Sequence, residues 1–359
     1  MYALVVCVGP HQGAVLAKQV EGFIRHAAAL ERELGLSVRV DYAAAVARVP
    51  HRVTAHRPEL CIIAPHWTDS EASLIGVCEF IRRQRVRPML VVLDTSDPTS
   101  SPHFGVLPYV DLFLKTKMLR DREQYRERYA GGHVLSDHAA RVLGFDLGEW
   151  SFGTPMPMEH AAKVRPCWNF GISADFERIR RNAKRFSVAW ERRYFDVNRR
   201  LGLSSTESTR DSWYKAYRVA AQRALEPLAA RHRVTGVRRI PRKLYLFELM
   251  NSKIVFSPFG WGEVCFRDYE AAAVGALLFK PSTAHVATSP NIFIDHETYV
   301  PVKWDFSDLE EKVAYYLKHP NEAERIAANA VRVLDEYYHD GGFVRDVGAA
   351  LNGCLERDR

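Results

Sequence analysis

Between Lys253 and Pro281 the chain gathers residue types that could handle a phosphorylated ligand: Gly260, Gly262, Glu263, Arg267 and Glu270. An apolar run precedes the two glycines and a second apolar run follows Gly275. That order predicts a buried strand, a glycine-bearing loop, a short helix starting near 263–267 and another buried strand. Gly260 and Gly262 allow positive φ and close approach of backbone to a ligand. The free N–H groups and positive dipole end of the helix suit a diphosphate. Arg267, in the first turn, adds a cation with bidentate geometry. A cation there is mildly unfavourable unless an anion sits nearby. Arg267 and Glu270 are three residues apart and share a helix face. Taken alone, that pair reads equally as an intrahelical ion pair with no ligand.

Other candidates lie at the ends of apolar runs. His11 follows the first run, in the segment Gly9-Pro10-His11-Gln12-Gly13, and could act as a general base because imidazole titrates near working pH. The competing reading is an exposed loop histidine, and Asp69 and Asp94 compete for the base. Arg199 or Arg210 could bind phosphate in the second half, where Arg200 and Arg218 also fall. Lys115, Lys117 and Arg120 are expected to form a solvated basic face rather than a ligand site. Ser307 with Glu310 three residues on predicts a capping box, and Asp305 is a weaker candidate for a sugar contact. No HExxH, Asp-rich metal motif, GxGxxG, GxSxG or Walker A segment occurs, so no metal site or bound cofactor is expected.

The elements that position these residues alternate. Apolar strands are predicted at 3–8, 37–42, 60–64, 89–94 and 111–115, separated by helical patterns at 15–34 and 73–85. This alternation implies a parallel sheet covered by helices on both faces, with ligands at the carboxyl ends of the strands. A helix is predicted at 119–129, and 149–166 reads as irregular. The second half restarts the alternation, with strands at 195–197, 234–237, 253–257 and 276–280. Helices are predicted there at 212–230, 242–250, 267–274, 307–319, 321–338 and 343–355. Two Rossmann-like domains follow, at 1–180 and 181–359.

The 359 residues suit two domains at roughly 100–200 residues each. The chain is 47% hydrophobic and 26% charged, which supports a buried core and argues against disorder. The net charge of +7 favours anionic partners, among them nucleotides, phosphorylated glycans and acidic lipid head groups. The six cysteines form no CxxC pair, so a reducing compartment fits. The start of the chain reads as a strand rather than a signal peptide, and no apolar run reaches the ~18–20 residues of a membrane span.

The pattern Arg267, Glu270, Ala271 and Gly275 ahead of an apolar strand resembles the donor-binding motif of GT-B glycosyltransferases, closest to exostosin-like and spore-coat-type (family 1-like) members. The resemblance covers about residues 240–340. It implies that Glu270 bonds the nucleotide ribose and that Gly260, Gly262 and Arg267 face the diphosphate. It also implies a cleft between two facing parallel sheets, with a nucleotide sugar as donor substrate and no resident cofactor or metal. Glu263 stands seven positions before Glu270, one short of the family's usual spacing, and Gly262 occupies the matching place. Glu263 is therefore kept with His11 as a catalytic candidate, while retaining or inverting stereochemistry stays open. The expected acceptor is a glycan or lipid-linked saccharide in bacterial surface polysaccharide or lipopolysaccharide synthesis. The expected location is cytoplasmic, with peripheral contact to anionic membrane, and nucleic acid is not expected as a partner. The alternatives are a phosphorylase or epimerase of the same shape, and a non-enzymatic basic protein that binds nucleic acid or acidic glycan.

Overall fold

The computed structural model describes residues 1–9, 15–202 and 212–353. Two parallel sheets form the frame. The first contains β1 (Tyr2–Val8), β2 (Ser37–Ala43), β3 (Leu60–Ala64), β4 (Met89–Asp94) and β5 (Leu112–Lys115). A two-residue strand β6 (Met118–Leu119) follows, and β7 (Val164–Pro166) completes the first sheet. Its order is β2-β1-β3-β4-β5-β7, with every pairing parallel. The second sheet is built from β8 (Phe195–Asn198), β9 (Ser252–Phe256), β10 (Leu277–Pro281) and, after the short β11 (Val286–Ala287), β12 (Val300–Val302). Its order is β12-β10-β9-β8, again parallel.

Strand β1 shows why its run is apolar at every position. Ala3, Val5 and Cys7 enter the core on one face, while Leu4, Val6 and Val8 enter the core on the other. Side chains alternate across a strand, so a strand covered on both faces has no polar side. The helix Glu71–Arg82 packs Leu74, Val77, Cys78 and Ile81 onto one of these faces. Ser70 caps its first turn by accepting from the Ser73 amide.

The helix expected over 15–34 is two helices, Val15–Arg25 and Ala27–Leu34, meeting at His26, whose φ of −110° leaves the helical range. The helix expected over 119–129 does not form. Met118–Leu119 pairs antiparallel with Val286–Ala287 of the second half, and the Tyr125 hydroxyl bonds the Leu119 amide and the Thr99 carbonyl. Tertiary pairing overrides local helix preference there. Part of the segment read as irregular supplies β7, the edge of the first sheet. Ser307 does not cap the helix Leu309–Lys318. Its amide donates to Asp305, and the residue before the helix is Asp308.

The sheets fall on either side of residue 180, but the helices do not respect that line. The helix Ala174–Phe186 spans it. The helix Gly342–Leu351 returns to the first sheet, where Phe343 packs edge-on against Phe23 and Trp168. Pro320 separates the last helices as expected, taking the first position of Pro320–His339, where its missing N–H costs nothing.

Candidate active site

The carboxyl ends of both sheets enclose a cavity of about 920 Å³. From the first domain, His66, Trp67, Ser96 and Asp97 enter it at the tips of β3 and β4, with Phe152 and Phe170. From the second come Arg200, Arg218, Tyr245, Glu270 and the segment that begins the helix Phe266–Ala273. That helix carries a capping box, in which Asp268 accepts from the Cys265 amide at 2.7 Å. Arg238, Arg239 and Arg242 extend the cationic wall.

Four sequence-chosen residues line this cavity: Gly260, Gly262, Arg267 and Glu270. Their geometry differs from the expectation in instructive ways. Neither Gly260 nor Gly262 has a positive φ. A Cβ on Gly262 would stand 2.1 Å from the Asp97 carbonyl oxygen. The glycine therefore lets a loop of the first domain approach, where a ligand had been expected. At Gly260 the nearest atom is an Arg218 guanidinium nitrogen, 2.8 Å from an added Cβ.

Arg267 and Glu270 do not form the intrahelical ion pair. Glu270 is buried, accepts from the Tyr245 hydroxyl at 2.7 Å, and pairs with Arg242 at 2.5 Å. Arg267 donates to the Arg200 carbonyl, and its Nε is buried with no partner. Arg218 has the same deficit at Nε, and burial lowers its pKa. Neither arginine has a carboxylate partner among the described residues. Buried polar groups are normally satisfied, so the two unfilled Nε donors set these arginines apart from the other lining residues.

Glu263 does not line the cavity. It is fully buried, accepts from the Thr99 amide at 3.0 Å and hydroxyl at 2.8 Å, and lies 3.8 Å from His285. Burial alone would raise its pKa, but the His285 imidazole and the Thr99 hydroxyl outweigh it and hold the carboxyl at about 2. Its observed work is to fasten the two domains. Arg199 also turns elsewhere, its Nε donating to the Thr235 carbonyl at 2.9 Å. The neighbouring Arg200 lines the cavity while held by Glu248 at 2.7 and 2.8 Å. His11 and Arg210 lie outside the described residues.

Asp94 is no candidate base. It is buried against Lys115 at 3.0 Å. Burial pushes its pKa up, but Lys115, His103 and the Ser101 and Ser96 hydroxyls bring it down to about 2. Lys115 and Lys117 are fully buried, contrary to the solvated face expected, and Lys117 sits 3.5 Å from Asp97 and over the Phe170 ring. Arg120 bonds the Ala284 and Val286 carbonyls of the second domain. Asp69 accepts from the His66 amide at 2.8 Å, and Asp305 does not line the cavity.

The sequence places 65–69 at a strand tip facing the ligand but gives no role to His66, the one histidine among the described lining residues. Its Nδ1 bonds the Thr68 hydroxyl at 2.7 Å, which leaves Nε2 as the atom free to act. The available signal was the Pro65-His66-Trp67 triplet at the end of β3. Trp67, Phe152 and Trp261 form an aromatic wall beside it, with ring centroids 5.7 Å apart for Phe152 and Trp261 and 6.3 Å for Trp67 and Trp261. Among the described residues, no group of three or more His, Cys, Asp or Glu is placed to hold a metal ion. None of their helices is long and apolar enough to cross a membrane.

A family model described as glycosyl transferase-like matches residues 211–341. No curated protein sequence matches the chain. Among solved structures, a glycosyltransferase from Rickettsia africae superposes with a TM-score of 0.56 at 10% identity, over 99% of each chain. The catalytic domain of Arabidopsis thaliana starch synthase IV, bound to ADP and acarbose, gives 0.51 at 10% identity over 99% of each. An α-glucosyltransferase in complex with UDP-glucose and DNA containing an abasic site gives 0.51 at 10% identity over 99% of each. The chain has the GT-B fold, and residues 211–341, which form most of its second domain, are similar to the glycosyl transferase-like family.

Proposed function

We propose that this protein transfers a sugar from a nucleotide-sugar donor to the hydroxyl of a glycan or lipid-linked saccharide. The observation that carries the reading is the pair of half-buried arginines, Arg218 and Arg267, which line an interdomain cavity beside the Gly260–Gly262 loop, each with a buried Nε that has no hydrogen-bond partner. In this reading the two arginines and the start of the helix Phe266–Ala273 receive the diphosphate. They stabilise the charge that grows on it as the sugar leaves, which lowers the barrier more than it tightens ground-state binding. Glu270, already oriented by Tyr245 and Arg242, accepts from the ribose hydroxyls. Trp67, Phe152 and Trp261 offer flat apolar surface to sugar rings. His66 takes the proton of the acceptor hydroxyl at Nε2, an assignment open to His11 as well. The enclosing walls exclude the water that would otherwise hydrolyse the donor.

The ADP held by the starch synthase domain and the UDP-glucose held by the α-glucosyltransferase supply the donor class for this fold. The reading extends to cytoplasmic assembly of surface polysaccharide or lipopolysaccharide. A thermal-shift screen against UDP, GDP, ADP, TDP, CMP and their common sugars tests it. A nucleotide at 100 times its Kd adds about 2.7 kcal/mol of stability. One nucleotide should stabilise the protein, and Arg267→Ala and Glu270→Gln should each remove that gain. A folded protein that no nucleotide stabilises would sink the proposal.

A further inference from the structure

The helix Arg242–Met250 divides into two faces. Tyr245 and Glu248 point inward, to Glu270 and Arg200, and Leu249 is fully buried. Leu244 and Phe247, three residues apart and so on one face, are 56% and 61% exposed. Beyond the end of the helix, Asn251 bonds the Phe247 carbonyl and accepts from the Phe195 amide, which brings Tyr194, 60% exposed, beside the same corner. Arg233 lies over the Tyr194 ring at 5.1 Å. None of the three side chains contributes to a hydrophobic core.

The charge of this stretch of chain is one-sided, although Arg231, Arg233 and Arg242 pair with Glu310, Asp196 and Glu270 from elsewhere. From Arg231 to Met250 the chain holds six cations, at Arg231, Arg233, Arg238, Arg239, Arg242 and Lys243, and a single acid, Glu248. Glu248 is spent on Arg200. Arg238, Arg239 and Lys243 have no carboxylate within ion-pair distance among the described residues. A solvated basic face needs no exposed Leu, Phe and Tyr within it. Exposed apolar and aromatic side chains beside unpaired cations, here Arg238, Arg239 and Lys243, are the composition that inserts into the headgroup region of an anionic bilayer. A nucleic-acid phosphate backbone would use the cations and leave Leu244 and Phe247 unexplained.

We infer that the outer face of the helix Arg242–Met250 is a docking surface for an anionic lipid membrane, with Leu244 and Phe247 inserted and Arg239 and Lys243 on the head groups. The surface is continuous with the cavity, because Arg238, Arg239, Ile240, Arg242 and Tyr245 line its rim. Docking there would place the cavity mouth at the membrane, where a lipid-linked substrate resides. The inference stands on the surface and not on the reading of the cavity.

Sedimentation of the full chain with vesicles tests it, comparing phosphatidylcholine alone with phosphatidylcholine containing phosphatidylglycerol. The protein should bind the anionic vesicles and release with salt. Arg239→Gln and Lys243→Gln should each weaken binding roughly fivefold. Leu244→Ser with Phe247→Ser should weaken it at least about tenfold at unchanged charge. An unaltered melting temperature of that double variant would show that it still folds, and loss of folding would move the test to Leu244→Ala with Phe247→Ala. No binding to anionic vesicles overturns the inference, as does binding that ignores both apolar substitutions. Binding to a random DNA duplex that depends on the cations alone would assign the surface to nucleic acid instead.

Discussion

The two walls of the cavity treat their charges differently. On the first-domain side, Asp94 is locked to Lys115 and Asp97 faces Lys117, and both lysines are withdrawn from solvent. On the second-domain side, Arg200 and Arg242 are paired with Glu248 and Glu270, but Arg218 and Arg267 reach the cavity without a carboxylate and with a buried Nε unfilled. Buried charge that is paired internally serves the frame, whereas the half-buried arginines without a carboxylate are the ones to which the proposed function gives the ligand. Glu263 belongs to the first class although it sits beside the loop of the second. It lies on the segment that leads into the helix Phe266–Ala273, yet it spends both oxygens on Thr99 of the opposite domain.

The sharpest way to break this contrast is to remove one partner on the paired wall. Lys115→Met leaves Asp94 buried and alone, and should destabilise the protein by about 3–5 kcal/mol in chemical denaturation. A loss well under that would mean water already reaches Asp94. Acid should reveal the same frame in stages. Burial holds His133 down at about 4, whereas the unfolded imidazole titrates near 6.5, so the unfolded chain binds that proton first. Stability should therefore fall by about 3 kcal/mol as pH drops from near 6.5 to near 4, measured by denaturant midpoints. Asp94 and Glu263, held at about 2, keep their contribution until pH falls below the ordinary carboxylate range and lose it on the way to 2. A midpoint flat between pH 6.5 and 4 would show His133 to be hydrated. The smallest change is expected on the unpaired wall. Arg218→Ala removes a guanidinium that no carboxylate needs, so it should leave unliganded stability within about 1 kcal/mol while nucleotide affinity falls about 10- to 100-fold by titration calorimetry. Equal losses in both measurements would make Arg218 part of the frame and erase the distinction.

Much of the frame was legible in the residues. The apolar runs at 3–8, 60–64, 89–94, 253–257 and 276–280 are all strands, because a strand buried on both faces must be apolar throughout. The family resemblance of Arg267 and Glu270 placed both on one short helix, and both do line the cavity. Short-range signals failed where long-range contacts decide. Met118–Leu119 and Val286–Ala287 are more than 160 residues apart, and nothing local in either marks them as strand partners. His66 was passed over because a lone histidine at a strand tip acquires meaning only when the opposite domain closes over it.

The sequence by itself determined the two parallel sheets, the short helix that carries Arg267 and Glu270, and the arginine-rich second half. Those follow from local periodicity and composition, which every window of the chain displays. Only the tertiary structure decided which charges are spent and which are free. Pairing depends on groups distant in sequence: Glu263 meets Thr99, Gly262 meets Asp97, and Arg267 meets the Arg200 carbonyl. A charged side chain is written into the sequence with its sign, but its partner is chosen by the fold.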